Sequence, residues 1–174
     1  LKTLTELYRF VTEITNDCLW EWNLLTHEIF WIDGGHKRIF GYQVENTLIP
    51  QSFWEQCIHP EDKQQVLQSL KNTLAKKLSV KWEINYRFKA SNGNYLYVHD
   101  RGHLIRGEDG KVIRIIGATQ NITEKTLLEV KLANLRLARQ KEITDAVFKA
   151  QENERESIAN VLNENLNQIL VATK

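Results

Sequence analysis

The sequence predicts an α+β fold in which a five-stranded antiparallel sheet carries its helices on one face and a long coiled-coil helix follows. Three observations lead there. Two strand-like runs open the domain, helical pieces follow, and three further strand-like runs are joined by Asn92-Gly93 and Asp109-Gly110, dipeptides suited to tight hairpin turns. After Thr123 there is neither glycine nor proline up to residue 174. A composition of 42% hydrophobic and 26% charged residues suits one packed core of ordinary size plus an extension.

The elements follow in order. Leu4, Leu7, Tyr8, Val11 and Ile14 recur at helical spacing, so residues 1–15 read as an amphipathic helix whose stripe needs a partner. Aromatic and β-branched clusters at 18–23 and 29–32, interrupted by Leu25-Thr26-His27-Glu28, outline a first hairpin. Gly34, Gly35 and Gly41 punctuate short helical pieces. In Ile58-His59-Pro60-Glu61-Asp62, proline takes a first helical position and the carboxylates sit in the positive first turn, which predicts a helix to about residue 77. Strands are expected at 80–90, 95–106 and 112–121.

The glycine-free tail would span roughly 75 Å as one helix. Leu128, Leu132 and Leu135 start an apolar stripe that turns polar around Arg139 and resumes at Ile143, Val147 and Ala150. The heptad thus carries an inserted four-residue step, a stutter that locally unwinds a coiled coil. Ile158, Leu162, Leu166, Ile169 and Leu170 then widen the stripe, as entry into a bundle requires. A parallel homodimer through this helix is expected, because the stripe needs an apolar partner.

Several function classes lose support. A net charge of +1 and no basic run argue against nucleic-acid binding. Cys18 and Cys57 stand far apart without metal-ligand spacing and read as isolated thiols in a reducing compartment. His99 and His103 share a strand face but lie about 13 Å apart, too far to share a metal ion. His59 reads as a helix-entry residue, and His27 and His36 lack partners at metal spacing. No metal or haem site is expected. No apolar run reaches the ~20 residues that span a bilayer. The chain opens at Leu1 without methionine and reads as a cytoplasmic fragment, with a membrane anchor elsewhere in its parent left open. Trp20, Trp22, Phe30, Trp31, Phe40, Phe53, Trp54 and Trp82 could line a ligand cavity and are more simply the core.

Residues 16–124 resemble a PAS sensor domain. The resemblance rests on Trp20-x-Trp22, Ile39-Phe40-Gly41-Tyr42, His59-Pro60-Glu61-Asp62, Tyr86-Arg87, Asn92-Gly93, Asp100-Arg101-Gly102 and Gly117 through Glu124. It implies a small-molecule signal as one option, its ligand unknown. The reactive Asn-Cys-Arg type motif of the flavin-binding branch has no counterpart around Cys57. Such domains usually close their last strand with Asp-Ile-Thr. Here Asn121 replaces the Asp, keeping the capping ability and losing the charge.

Residues 125–150 then read as a signalling helix, and 151–174 resemble the start of the dimerisation and phosphotransfer domain of a two-component sensor histidine kinase. Glu154-Arg155, Ile158-Ala159, Leu162, Glu164 and Gln168 match that family's phosphoacceptor helix, with Asn163 where the histidine would stand. An imidazole nitrogen can attack the γ-phosphate of ATP, whereas an amide nitrogen has its lone pair delocalised into the carbonyl. By the same resemblance Glu164 would be the general base and Gln168 the amide that positions water during dephosphorylation. The parent would use ATP and Mg and a response regulator as partner. This chain has no Gly-rich nucleotide-binding segment, so no cofactor is expected in it and catalysis is not. Asn163 is either a natural loss or an introduced substitution, and its intact neighbours favour the second. The alternative is a non-enzymatic PAS dimerisation module of a degenerate sensor or of another PAS-regulated enzyme.

Overall fold

The computed structural model describes residues 10, 14–15, 17–32, 34–44 and 46–172, the side chains of 168–172 excepted. The stripe at Leu4, Leu7, Tyr8 and Val11 lies outside the described residues. Strands β1 (Asp17–Asn23) and β2 (Glu28–Trp31) form the first hairpin. Helices α1 (Gly35–Phe40), α2 (Gln51–Cys57) and α3 (Pro60–Ala75) follow, with strand β3 (Thr47–Pro50) between the first two. Strands β4 (Lys81–Lys89), β5 (Tyr95–Arg106) and β6 (Val112–Asn121) complete the sheet, and α4 (Thr123–Ala172) runs on from it.

The sheet has six strands where the sequence analysis counts five. Its order is β3-β2-β1-β6-β5-β4, and every neighbouring pair is antiparallel. The extra strand, β3, is four residues long and pairs with β2 along the sheet edge. Pro50 ends it, and a proline is tolerated there because an edge residue has no second ladder to donate to. So short a run, closed by proline, carries too little period-2 signal to be read as a strand. The long meander is placed as expected. Gly93 and Gly110, both at positive φ, supply the conformations that its two turns require.

Alternation along the strands sends Trp20, Trp22, Trp31, Trp82, Tyr86, Phe88, Val98, Leu104 and Ile115 into a single core. Phe40, Trp54, Cys57, Val66 and Leu70 of the helices close it. Cys18 and Cys57 are both buried thiols outside any disulfide. His59 takes the helix-entry role read from the sequence: its Nδ1 accepts the Glu61 N–H at 3.2 Å. Arg87 then ties this helix start to β4, its guanidinium donating to both Asp62 oxygens at 2.7 and 2.9 Å and to Glu61 at 2.7 Å. Asp62 is held below the usual carboxylate range by that pairing.

The chain divides into a compact unit ending at Thr126 and a second unit beyond it. No helix of the described residues is long and apolar enough to cross a membrane.

One close approach fixes the middle of the sheet. Trp20, Gly117 and Gly102 lie side by side on β1, β6 and β5. A Cβ on Gly117 would stand 2.3 Å from the Trp20 ring and 2.5 Å from the Arg101 carbonyl, and one on Gly102 would stand 2.6 Å from Ile115. The two glycines form a trough in which the indole lies. Gly117→Ala is expected to destabilise the unit by about 2 kcal/mol or more, because a backbone carbonyl cannot give way as a side chain can. Urea unfolding followed by tryptophan fluorescence measures this.

Candidate functional site

The core encloses a cavity of about 20 Å³ lined by Trp20, Trp22, Trp31, Trp54, Tyr86 and Asp100, among others. That is room for roughly one water molecule. Of the aromatics singled out in the sequence, Trp20, Trp22, Trp31, Phe40, Trp54 and Trp82 line it. Phe30 falls on the opposite strand parity and Phe53 packs against the outside of the core.

Polar groups converge here, which the sequence analysis missed. Asp100 is only 2% exposed. Its Oδ1 accepts the Thr119 hydroxyl and its Oδ2 accepts the Tyr86 hydroxyl at 2.5 Å. Each hydroxyl is itself an acceptor: Trp20 Nε1–H donates to Thr119 at 3.0 Å and Trp54 Nε1–H to Tyr86 at 2.9 Å. Both chains of donation therefore point inward and end on one carboxylate, with groups drawn from β1, β6, β5, β4 and α2. Burial lifts the Asp100 carboxyl above its ordinary range, while the two hydroxyl bonds pull the other way. Burial likewise drives the Tyr86 phenol well above its usual value. A signal was available in the sequence. Asp100 shares strand parity with Val98 and Leu104, and an acid on a core face must be answered by hydrogen bonds.

Two further groups on the cavity wall, Trp22 Nε1 and His36 Nδ1, have no hydrogen-bond partner. His36 stacks on Trp31 with ring centroids 3.9 Å apart and planes 2° from parallel. Burial pushes its pKa down to about 3, so the ring is neutral.

The C-terminal end of the unit is built on the same strand as Asp100. Tyr97 N–H donates to Thr123 Oγ1 at 2.9 Å, Ile122 N–H donates to the Tyr97 carbonyl at 2.8 Å, and Thr123 N–H donates to Asn121 Oδ1 at 3.0 Å. Asn121 thus caps the long helix as a neutral group. Tyr97 stands three residues before Asp100, about 10 Å along β5.

The residues predicted from the phosphoacceptor resemblance lie elsewhere, in the second unit. Asn163 and Glu164 are exposed on α4, and Gln168 follows on the same helix with its side chain outside the described residues. Among the described residues no three of His, Cys, Asp and Glu gather as metal ligands. His99 bonds Asn85 at 2.6 Å and His27 bonds Gln51 at 3.1 Å.

The buried neutral imidazole sets a pH dependence. His36 takes up a proton near 6.5 when unfolded and only near 3 when folded, so the stability it leaves intact at neutral pH is lost as pH falls through that window. His36→Phe should therefore gain about 2 kcal/mol on the parent chain between pH 7.5 and pH 5. Denaturant unfolding of both proteins at the two pH values measures it, and an equal difference at both would remove His36 as the cause.

Comparison with known proteins agrees with this architecture. The profile of the PAS fold matches residues 29–119. The chain is 28% identical over 102 residues to hybrid signal transduction histidine kinase A of Dictyostelium discoideum, covering 57% of this chain and 4% of that protein. It is 26% identical over 126 residues to the protein named "Probable diguanylate cyclase DgcE" of Escherichia coli (strain K12), covering 71% of this chain and 10% of that protein. The chain thus spans a small part of each relative. A sensory box histidine kinase/response regulator from Burkholderia thailandensis superimposes with a TM-score of 0.64 at 23% identity, over 77% of this chain and 98% of that one, a likeness of fold. With half of its length matched by the profile and its sheet and helices in the matching order, the chain belongs to the PAS fold family.

Proposed function

We propose that this chain is the sensor-to-output segment of a two-component histidine kinase. In this reading the PAS unit receives a signal, α4 transmits it as a parallel homodimer, and residues 151–174 begin the phosphotransfer domain with Asn163 in the acceptor position. One observation carries the reading. The Glu154-to-Gln168 pattern lies on the same unbroken helix that starts at the Tyr97–Thr123 joint, with Asn163 and Glu164 turned to solvent. The likeness to a hybrid histidine kinase supports it. The chain itself does no chemistry. ATP, Mg and a response regulator belong to the longer protein.

The likeness to a diguanylate cyclase over 126 residues favours a second reading, in which the same PAS unit drives another output. It accounts for the sheet and the first turns of α4 and leaves the 154–168 pattern without a purpose.

Two experiments test the homodimer and separate the two readings in turn. Leu132→Asp combined with Leu135→Asp places charges where the coiled coil needs apolar contact, and sedimentation should change from dimer to monomer. A monomeric unaltered chain would remove the homodimer. In a longer protein that includes the ATP-binding domain, Asn163→His should yield acid-labile, base-stable phosphate, and the Asn form none. Adding Glu164→Gln should slow that labelling by roughly 10²-fold or more, the range for losing a positioned general base. Equal labelling with His and Asn at 163 would favour the second reading.

A further inference from the structure

Seven of the exposed large apolar residues of α4, with Ala150 and Asn165, form three blocks that repeat, while Leu127, Val130, Leu137, Phe148, Val161 and Leu166 are exposed outside them. Leu128, Leu132 and Leu135 make the first, Ile143, Val147 and Ala150 the second, Ile158, Leu162 and Asn165 the third. Each position recurs after fifteen residues. The large apolar members are half-exposed in the single chain, from Leu132 at 48% to Leu135 at 59%. Fifteen residues over four turns is 3.75 residues per turn, more than the 3.6 of a straight α-helix, so the seam drifts in the sense opposite to a heptad.

Resting on the homodimer reading above, we propose that a second copy of this chain packs in parallel along these three blocks as a right-handed supercoil, and that this geometry carries position 163 out of the seam. The occupant follows from the repeat. A heptad helix facing the first block would be one residue out of phase at the second and two at the third, about 100° of helix rotation per residue. A second copy matches all three blocks by identity. Between the blocks, residues 136–142 carry a net charge of +2 and residues 151–157 a net charge of −2. In a parallel pair like faces like, so the spacers loosen the seam and the blocks hold it.

The consequence for Asn163 is direct. A heptad continued from Leu135 reaches residue 163 after four repeats and would bury it between the helices. The fifteen-residue repeat puts Leu162 in the seam instead, and residue 163, one step round the helix, on the flank. Only the second arrangement leaves that side chain within reach of another protein or domain.

Single-cysteine substitutions along α4 in the full chain test this, with mild oxidation and the unsubstituted chain as blank. A same-residue disulfide needs Cβ atoms about 3.5–4.5 Å apart, which seam positions of a parallel pair provide and flanking ones do not. Leu132→Cys, Val147→Cys and Leu162→Cys should crosslink several-fold more than Ala146→Cys, Asn160→Cys and Asn163→Cys. Efficient crosslinking at 132 with maxima at 146, 160 and 163 would establish a dimer and overturn the fifteen-residue seam. Crosslinking confined to the neighbourhood of residue 147 would mean antiparallel helices, the arrangement that sets the two charged spacers opposite each other, and would overturn it too. No crosslinking at any position, together with sedimentation as a monomer, would overturn the homodimer reading itself.

Discussion

A carboxylate buried among tryptophans must be surrounded by donors, and the donors that Asp100 finds constrain most of this domain. Thr119 and Tyr86 each have one hydroxyl proton, and each hydroxyl oxygen already accepts an indole N–H. Their protons are therefore free to point only at Asp100. The orientation of two tryptophans, a threonine and a tyrosine follows from one acid, and together with Asp100 those residues come from four of the six strands and from α2. Unpaired, such an acid would cost several kcal/mol. The trough of Gly102 and Gly117 belongs to the same constraint, because it lets the Trp20 indole lie where its N–H reaches Thr119.

That constraint reaches the start of α4 along a single strand. Asp100 and Tyr97 are both on β5, and Tyr97 uses its backbone N–H and carbonyl to hold Thr123 and Ile122. A shift of β5 that answers a change around Asp100 would move the start of α4 with it. Trp22 Nε1 and His36 Nδ1 lie on the wall of the same core without a hydrogen-bond partner among the described residues, the least satisfied polar groups near Asp100.

Much of the fold was legible in the sequence, and the reasons are physical. The three meander strands are long, alternate cleanly, and end at Asn-Gly and Asp-Gly, so their period and turns agree. Strand β3 was not legible because four residues ending in proline carry no resolvable period. The aromatic lining was largely readable as a set. Its polar centre was not, because Asp100, Thr119 and Tyr86 are 14 to 33 residues apart and only pairing register brings them together. His36 was dismissed for lack of metal-spaced partners, and its stacking on Trp31 needs a short helix folded over the sheet that periodicity cannot place.

The strength of the joint at Thr123 bounds what any coupling between the sheet and the start of α4 could carry. Neutral hydrogen bonds among Tyr97, Asn121, Ile122 and Thr123 hold the start of α4 to β5 and to its cap, each worth about 1 kcal/mol net. An aspartate at position 121 could have added an ion pair, and Asn121 does not. A ligand or partner shifts a two-state element only by its difference in affinity for the two states, commonly 1–3 kcal/mol between coupled sites. The joint and the signal are thus of the same size. A tighter joint would hold one helix position whatever the core does, and a looser one would let the core change without moving the helix. In the proposed parallel pair the same balance would recur along α4, since each charged spacer between the apolar blocks would face its own copy and relax the seam. In the proposed histidine-kinase reading, transmission along the helix needs no nucleophile, so an asparagine at position 163 would remove the chemistry and leave the mechanics in place.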